Sequence, residues 1–123
     1  MNKKIFESYN YLIESNDVER LKKILIRYEL YKLSEDVPGD IFECGVFKGT
    51  GHIFWLKLLK IFDPNSLKKV IGFDTFGDFP KSILKFEKKT AKKFQKESNF
   101  KSKNLSKIIN EKINKAELSE RSN

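Results

Sequence analysis

The chain has 123 residues, 39% of them hydrophobic and 11 of them Phe, and a net charge of +8. This length suits one domain with one core, and this apolar content predicts a folded chain rather than a disordered one. No run approaches the 18 apolar residues of a membrane span, and the polar N-terminal residues argue against a secretory signal. The single Cys44 cannot form an internal disulfide, which is typical of a reducing, cytoplasmic location.

The excess positive charge lies in residues 81–123, which hold 13 Lys and Arg against 5 Asp and Glu. Residues 1–80 hold 12 of each and are neutral. Twelve of the thirteen basic residues are lysines spread along a helical pattern, without clustered arginines and aromatic residues. We interpret this segment as a solvated helix face, and a nucleic-acid-binding helical protein is the alternative from another class. Steeply salt-dependent binding to DNA or RNA would support that alternative.

Two helices are predicted before the first strand. Apolar residues recur at helical spacing over roughly 4–15 and again up to Tyr31. Asn16, with Glu19 three residues later, predicts a capping box at the start of the second helix. Pro38-Gly39 then stops that helix and turns the chain into a strand.

A βαβ unit is predicted in the middle of the chain. Strands at about 40–44 and 69–74 flank a helix at roughly 49–61, and the second strand is apolar enough to be buried on both faces. Two lysine-rich helical patterns follow in residues 81–123. The order strand, helix, strand predicts parallel strands and an α/β fold.

A glycine-punctuated turn follows the first strand directly. Glu43 lies near the end of that strand, Gly45 and Gly49 follow it, and Asp74 ends the next strand. Glycines allow a ligand to approach the main chain, and a helix N-terminus favours negative charge. Acidic residues at consecutive strand ends favour binding of a nucleotide-like cofactor. The alternative is a tight turn whose two acidic residues cap helices.

Two strings in this region carry a family resemblance, namely PGDIFECGVFKG at residues 38–49 and VIGFDTFGDFP at residues 70–80. They resemble the macrocin (TylF-type) O-methyltransferases, most closely over residues 17–80. The resemblance implies a class I methyltransferase with a Rossmann-like sheet and S-adenosylmethionine as cofactor. It also implies methyl transfer to a hydroxyl group of a small molecule, such as one that contains a sugar.

The resemblance also implies which residues hold the cofactor. Glu43 and Gly45 would lie by the methionine end of S-adenosylmethionine, with Gly49 closing the loop beneath it. Asp74 would hold the ribose hydroxyls, with Thr75 near the adenosine. The full set that matches the cofactor-binding motifs of the family is Glu43, Gly45, Val46, Phe47, Gly49, Asp74, Thr75 and Phe76.

Enzymes of this type have further acidic motifs, which bind a metal and position the acceptor, and no such string follows Pro80. We therefore expect a fragment with no metal site and with its general base unassigned, divided into residues 1–37 (helical), 38–80 (cofactor-binding) and 81–123 (basic and helical). A non-catalytic or decayed adenosyl-cofactor-binding module is the alternative. The expected partner is a small-molecule methyl acceptor, with no membrane partner and with homo-oligomerisation left open.

Two side chains outside the proposed cofactor-binding set, His52 and Cys44, belong to residue types that often act in catalysis. His52, the only histidine, is interpreted as a partly packed or solvent-facing helix residue rather than a catalytic base. Cys44 is interpreted as a small buried core residue rather than a nucleophile.

Overall fold

The computed structural model describes residues 2–79, 81 and 84–123, which divide into two compact units, Met1–Pro38 and Gly39–Asn123. Within these described ranges, no helix combines the length and the apolar character that crossing a bilayer requires. The further division of the second unit near residue 80 stays a prediction.

The first unit contains two helices, α1 (Lys3–Glu14) and α2 (Glu19–Ser34). The side chain that caps α2 is that of Asp17, whose Oδ1 accepts a hydrogen bond from the backbone N–H of Arg20 at 3.0 Å. The prediction that Asn16 provides this cap was wrong by one residue. Both side chains can accept such a bond, and the carboxylate has the additional attraction of the Arg20 side chain, with which it forms an ion pair.

The second unit begins with the predicted βαβ arrangement. Strands β1 (Ile41–Cys44) and β2 (Val70–Phe73) are parallel, and α3 (Thr50–Phe62) connects them. On the other edge of β2, Ser122 forms a parallel bridge with Val70. The mixed α/β character and the parallel pairing expected from the sequence are therefore confirmed.

Only one face of this sheet is well covered. Val70 is fully buried, whereas Phe42 and Phe73 are 66% and 53% exposed and meet edge to face at 5.7 Å. Cys44 is also exposed. The predictions that β2 is buried on both faces and that Cys44 is a buried core residue were wrong. An apolar strand is suited to double burial, but its sequence does not say whether a second layer covers it.

Three elements follow β2 in the described residues. They are α4 (Lys85–Glu97), α5 (Leu105–Lys115) and a 3₁₀ turn at Ser119–Arg121. The apolar stripe predicted for the last helix is confirmed, because the buried residues of α5 recur every four positions. The apolar core of the second unit consists of Val46, Leu56, Leu58, Leu59, Val70, Phe100, Leu105, Ile109, Ile113 and Leu118.

Arg121 fastens the end of the chain to the connection between α3 and β2. Its guanidinium group donates to the backbone oxygens of Lys68 at 2.8 Å and Asp63 at 2.9 Å. It also donates to Leu59 O at 3.4 Å and to Ser66 Oγ at 3.2 Å. A cation beside the carbonyl groups that end a helix is favourable, so Arg121 stabilises the C-terminus of α3.

Gly72 on β2 allows α3 to approach the sheet closely. A Cβ atom there would lie 2.7 Å from Val46 Cγ2 and 3.2 Å from His52 Nδ1. We expect Gly72→Ala to lower the free energy of unfolding by about 1–3 kcal/mol, because it overpacks the core. Gly77→Ala is the matched control, since the nearest atom to its Cβ would be 3.9 Å away. Urea denaturation measures both, and equal losses would contradict the packing explanation.

Candidate functional site

The site is built around Asp74, the residue that follows β2. Its Oδ2 accepts hydrogen bonds from the backbone N–H groups of Val46 at 2.8 Å and Phe47 at 3.1 Å. Its Oδ1 accepts one from the N–H of Phe76 at 2.9 Å. These bonds join the turn after β1 to the turn after β2, as expected for parallel strands, whose carboxyl ends meet at one edge of the sheet.

The same contacts set the charge of this carboxylate. Burial alone would raise the pKa of Asp74, but the backbone amides of Phe76, Phe47, Val46 and Thr75 together lower it below its ordinary value. Asp74 is therefore ionised at neutral pH. A carboxylate has about four lone-pair sites, and at least three of them receive backbone hydrogen bonds.

The glycine turn is open at one end and covered at the other. Gly45 and Gly49 have φ angles of +86° and +84°, in the left-handed region that favours glycine. Apart from its chain neighbours, no atom of the described residues lies within 4 Å of the position that a Cβ on Gly45 would take. At Gly49, the residue before α3, that position is only 2.9 Å from Cγ2 of Ile109 on α5. The helix N-terminus predicted to face a ligand is thus in contact with α5.

Phe47 and Lys48, in the middle of this turn, attach it to the lysine-rich region. The Phe47 ring centroid lies 5.0–6.4 Å from three other rings, those of Phe79, Phe94 and Phe100. Lys48 Nζ donates to the backbone oxygen of Ser98 at 2.9 Å. Aromatic pairs in this distance range add to the stability of the contact beyond their buried area. The turn is therefore packed against the segment that follows β2.

Glu43 lies beside His52 rather than beside Asp74. Glu43 Oε2 is 3.5 Å from His52 Nδ1, and among the described residues these two buried atoms have no hydrogen-bond partner. His52 Nε2 is 2.9 Å from Ser122 Oγ. His52 is only 3% exposed, so it is more buried than predicted. A signal for this existed, because His52 shares a helix face with the buried Leu56 and Leu59.

A cavity of about 180 Å³ lies between the end of β2, the start of α3 and α5. Its polar lining comes from His52, Ser106, Asn110, Ser122 and Asn123. Pockets that enclose small-molecule ligands usually have about 300–1,000 Å³, so this cavity is small for a nucleoside-sized ligand. Among the described residues, no group of three or more His, Cys, Asp and Glu side chains could hold a metal ion.

The predicted site residues thus separate into those that the structure brings together and those that it does not. Asp74, Val46, Phe47 and Phe76 form one hydrogen-bonded group. Glu43 pairs with His52, and Gly49 is covered by α5. Sequence reasoning missed Ile109, Ser98 and Ser122, which lie 50 or more positions from the residues they contact; no local motif marks them. The assignment of cofactor contacts to these residues stays a prediction.

The second unit is an α/β arrangement with strand-end carboxylates and a glycine turn at one sheet edge. This arrangement is compatible with an α/β methyltransferase-like fold. The family model described as Macrocin-O-methyltransferase (TylF) matches residues 17–118. The chain therefore belongs to the TylF family of macrocin O-methyltransferases. No curated protein and no solved structure shows a significant match to it.

Proposed function

We propose that this chain binds S-adenosylmethionine at the glycine turn and forms the cofactor-binding part of an O-methyltransferase with a Rossmann-like sheet. The observation that carries the proposal is the hydrogen bonding of Asp74 to Val46, Phe47 and Phe76. It fixes both motifs of the family at the same sheet edge. The membership of the family supports methyl transfer.

The residues present fit the cofactor at one end of the turn. No described atom beyond its chain neighbours lies within 4 Å of the Cβ position of Gly45, and the nearby Glu43 side chain is partly buried, with its Oε2 beside His52. A carboxylate in this position can bind the ammonium group of the methionine moiety. Asp74 holds the turn and lies beside the ribose hydroxyls, with Thr75 and Phe76 beside the adenosine. S-adenosylmethionine supplies the activated methyl group, and the acceptor is a small-molecule hydroxyl group.

One observation favours a second candidate, a module that binds an adenosyl ligand without catalysing methyl transfer. Ile109 covers Gly49, the residue that the family resemblance places beneath the cofactor. Both candidates require the adenosyl site, so they share the first experiment. They differ in whether a methyl group from the bound cofactor reaches any acceptor hydroxyl.

Glu43→Gln distinguishes binding of the methionine end of the cofactor from binding of its adenosine end. We expect calorimetric titration of the full chain to give saturable binding of S-adenosylmethionine that this change weakens by about 10–100-fold, because a charge-assisted contact is lost. Binding of 5′-methylthioadenosine, which lacks the ammonium and carboxylate groups, should not change.

Asp78→Asn provides the matched control, because it removes a nearby exposed carboxylate that bonds only Ser102 among the contacts described. This control variant should bind both ligands as tightly as the wild-type chain does. If the folded wild-type chain binds neither ligand, the proposed function is wrong for this chain. If Glu43→Gln weakens both ligands equally, Glu43 acts on the fold and not on the methionine moiety.

A further inference from the structure

The lysines of α4 form one continuous stripe. At about 100° per residue, its six lysines fall within an arc of about 140°. All six are exposed, and both acidic residues of the helix, Glu87 and Glu97, lie outside the arc. We define the lysine stripe as Lys85, Lys88, Lys89, Lys92, Lys93 and Lys96. The sequence-based interpretation of a solvated helix face agrees with these six exposed lysines of α4.

The opposite face of α4 contacts the rest of the second unit through Phe94, which is itself 49% exposed. The Phe94 ring lies 5.6 Å from that of Phe47 and 5.9 Å from that of Phe79. Ala91 and Gln95, on the same side, are partly buried. The stripe extends for about 17 Å along the helix axis.

The surroundings of the stripe favour a lipid surface over a nucleic acid. Phe86 and Leu84, at its N-terminal end, are 77% and 59% exposed. Proteins that bind single strands use a positively charged groove with stacking aromatics. The stripe instead lies on the convex surface of one helix that contains no Arg. Several lysines beside exposed apolar side chains on one helix are typical of contact with anionic headgroups.

We propose that the lysine stripe of α4 binds peripherally to bilayers that contain anionic lipids. The six lysines lie within less than half of the helix circumference and can therefore face one bilayer, although Lys93 also pairs with Glu97 at 3.8 Å. This differs from the expectation of no membrane partner, which rested on the absence of a spanning segment; a peripheral contact needs none. The proposal does not depend on cofactor binding.

The test is cosedimentation of the full chain with phosphatidylcholine vesicles, with and without phosphatidylglycerol. We expect binding only to the anionic vesicles, weakened by added salt. Each lysine near such a surface contributes about fivefold to partitioning. The combined change Lys88→Gln, Lys92→Gln and Lys96→Gln should therefore weaken binding by about 100-fold.

The matched control removes the same charge elsewhere, by combining Lys4→Gln, Lys22→Gln and Lys57→Gln, which are also exposed positions. It should weaken binding by less than about threefold, since these lysines lie off the stripe. Circular dichroism verifies that both variants fold. Equal binding to the two kinds of vesicle, or equal losses in the two variants, would overturn the proposal. Tighter, stripe-dependent binding to a double-stranded oligonucleotide would also overturn it, in favour of a nucleic-acid surface.

Discussion

Asp74→Asn is expected to lower the free energy of unfolding by about 2–4 kcal/mol. The wild-type carboxylate accepts backbone hydrogen bonds on both oxygens, from Val46 and Phe47 on one and from Phe76 on the other. An amide has a single acceptor oxygen, so its NH₂ group would face at least one of these N–H donors. The turns after β1 and β2 would lose the bonds that join them. Urea denaturation at neutral pH measures the loss.

The same variant should change how stability depends on pH. The pKa of Asp74 is lower in the folded chain than its ordinary value of 3.8. Its contribution is therefore fully present above pH 3.8 and is lost as the pH falls through the folded pKa. Asp74→Asn should lack this acid-induced loss. Asp78→Asn, the exposed control, should retain it and cost less than about 0.5 kcal/mol. Identical pH profiles for wild type and Asp74→Asn would refute this role of the carboxylate.

Gly49→Ala is expected to destabilise the second unit by about 2–4 kcal/mol, for two separate reasons. The left-handed backbone at φ +84° strains any residue with a Cβ atom, and that atom would meet Ile109 Cγ2 at 2.9 Å. Ile109→Ala alone should cost about 2–5 kcal/mol, since Ile109 is buried in the core. In the double variant the steric conflict disappears. Its total loss should be smaller than the sum of the single losses by about 1–2 kcal/mol.

Gly45→Ala isolates the backbone contribution. Its φ of +86° matches that of Gly49, but in the described part of the chain no atom beyond its neighbours lies within 4 Å of the Cβ position. It should cost about 1–2 kcal/mol and show no coupling with Ile109→Ala. A double-mutant cycle measured by urea denaturation compares the two glycines. Additive losses for Gly49→Ala and Ile109→Ala would mean that Ile109 of α5 makes no steric conflict with a Cβ atom at position 49.

Much of the local architecture could be predicted because it depends on neighbouring residues. Pro38-Gly39 marks the turn before β1, and the four-residue spacing of Leu105, Ile109 and Ile113 marks the buried face of α5. The α2 cap was misplaced by one position because Asn16 and Asp17 have similar capping ability. Local patterns thus predict where helices and strands lie, but they do not show which of two adjacent, chemically similar residues makes a particular contact.

The sequence by itself determined that a glycine turn and Asp74 would lie at one sheet edge, because parallel strands place their carboxyl ends together. Only the tertiary structure decided what these groups contact. Asp74 bonds the amide of Val46, 28 positions away, and His52 approaches Ser122, 70 positions away. It also decided that α5 covers Gly49 and that Cys44 is exposed. Such contacts depend on how whole elements pack, and no periodicity within a single element records that.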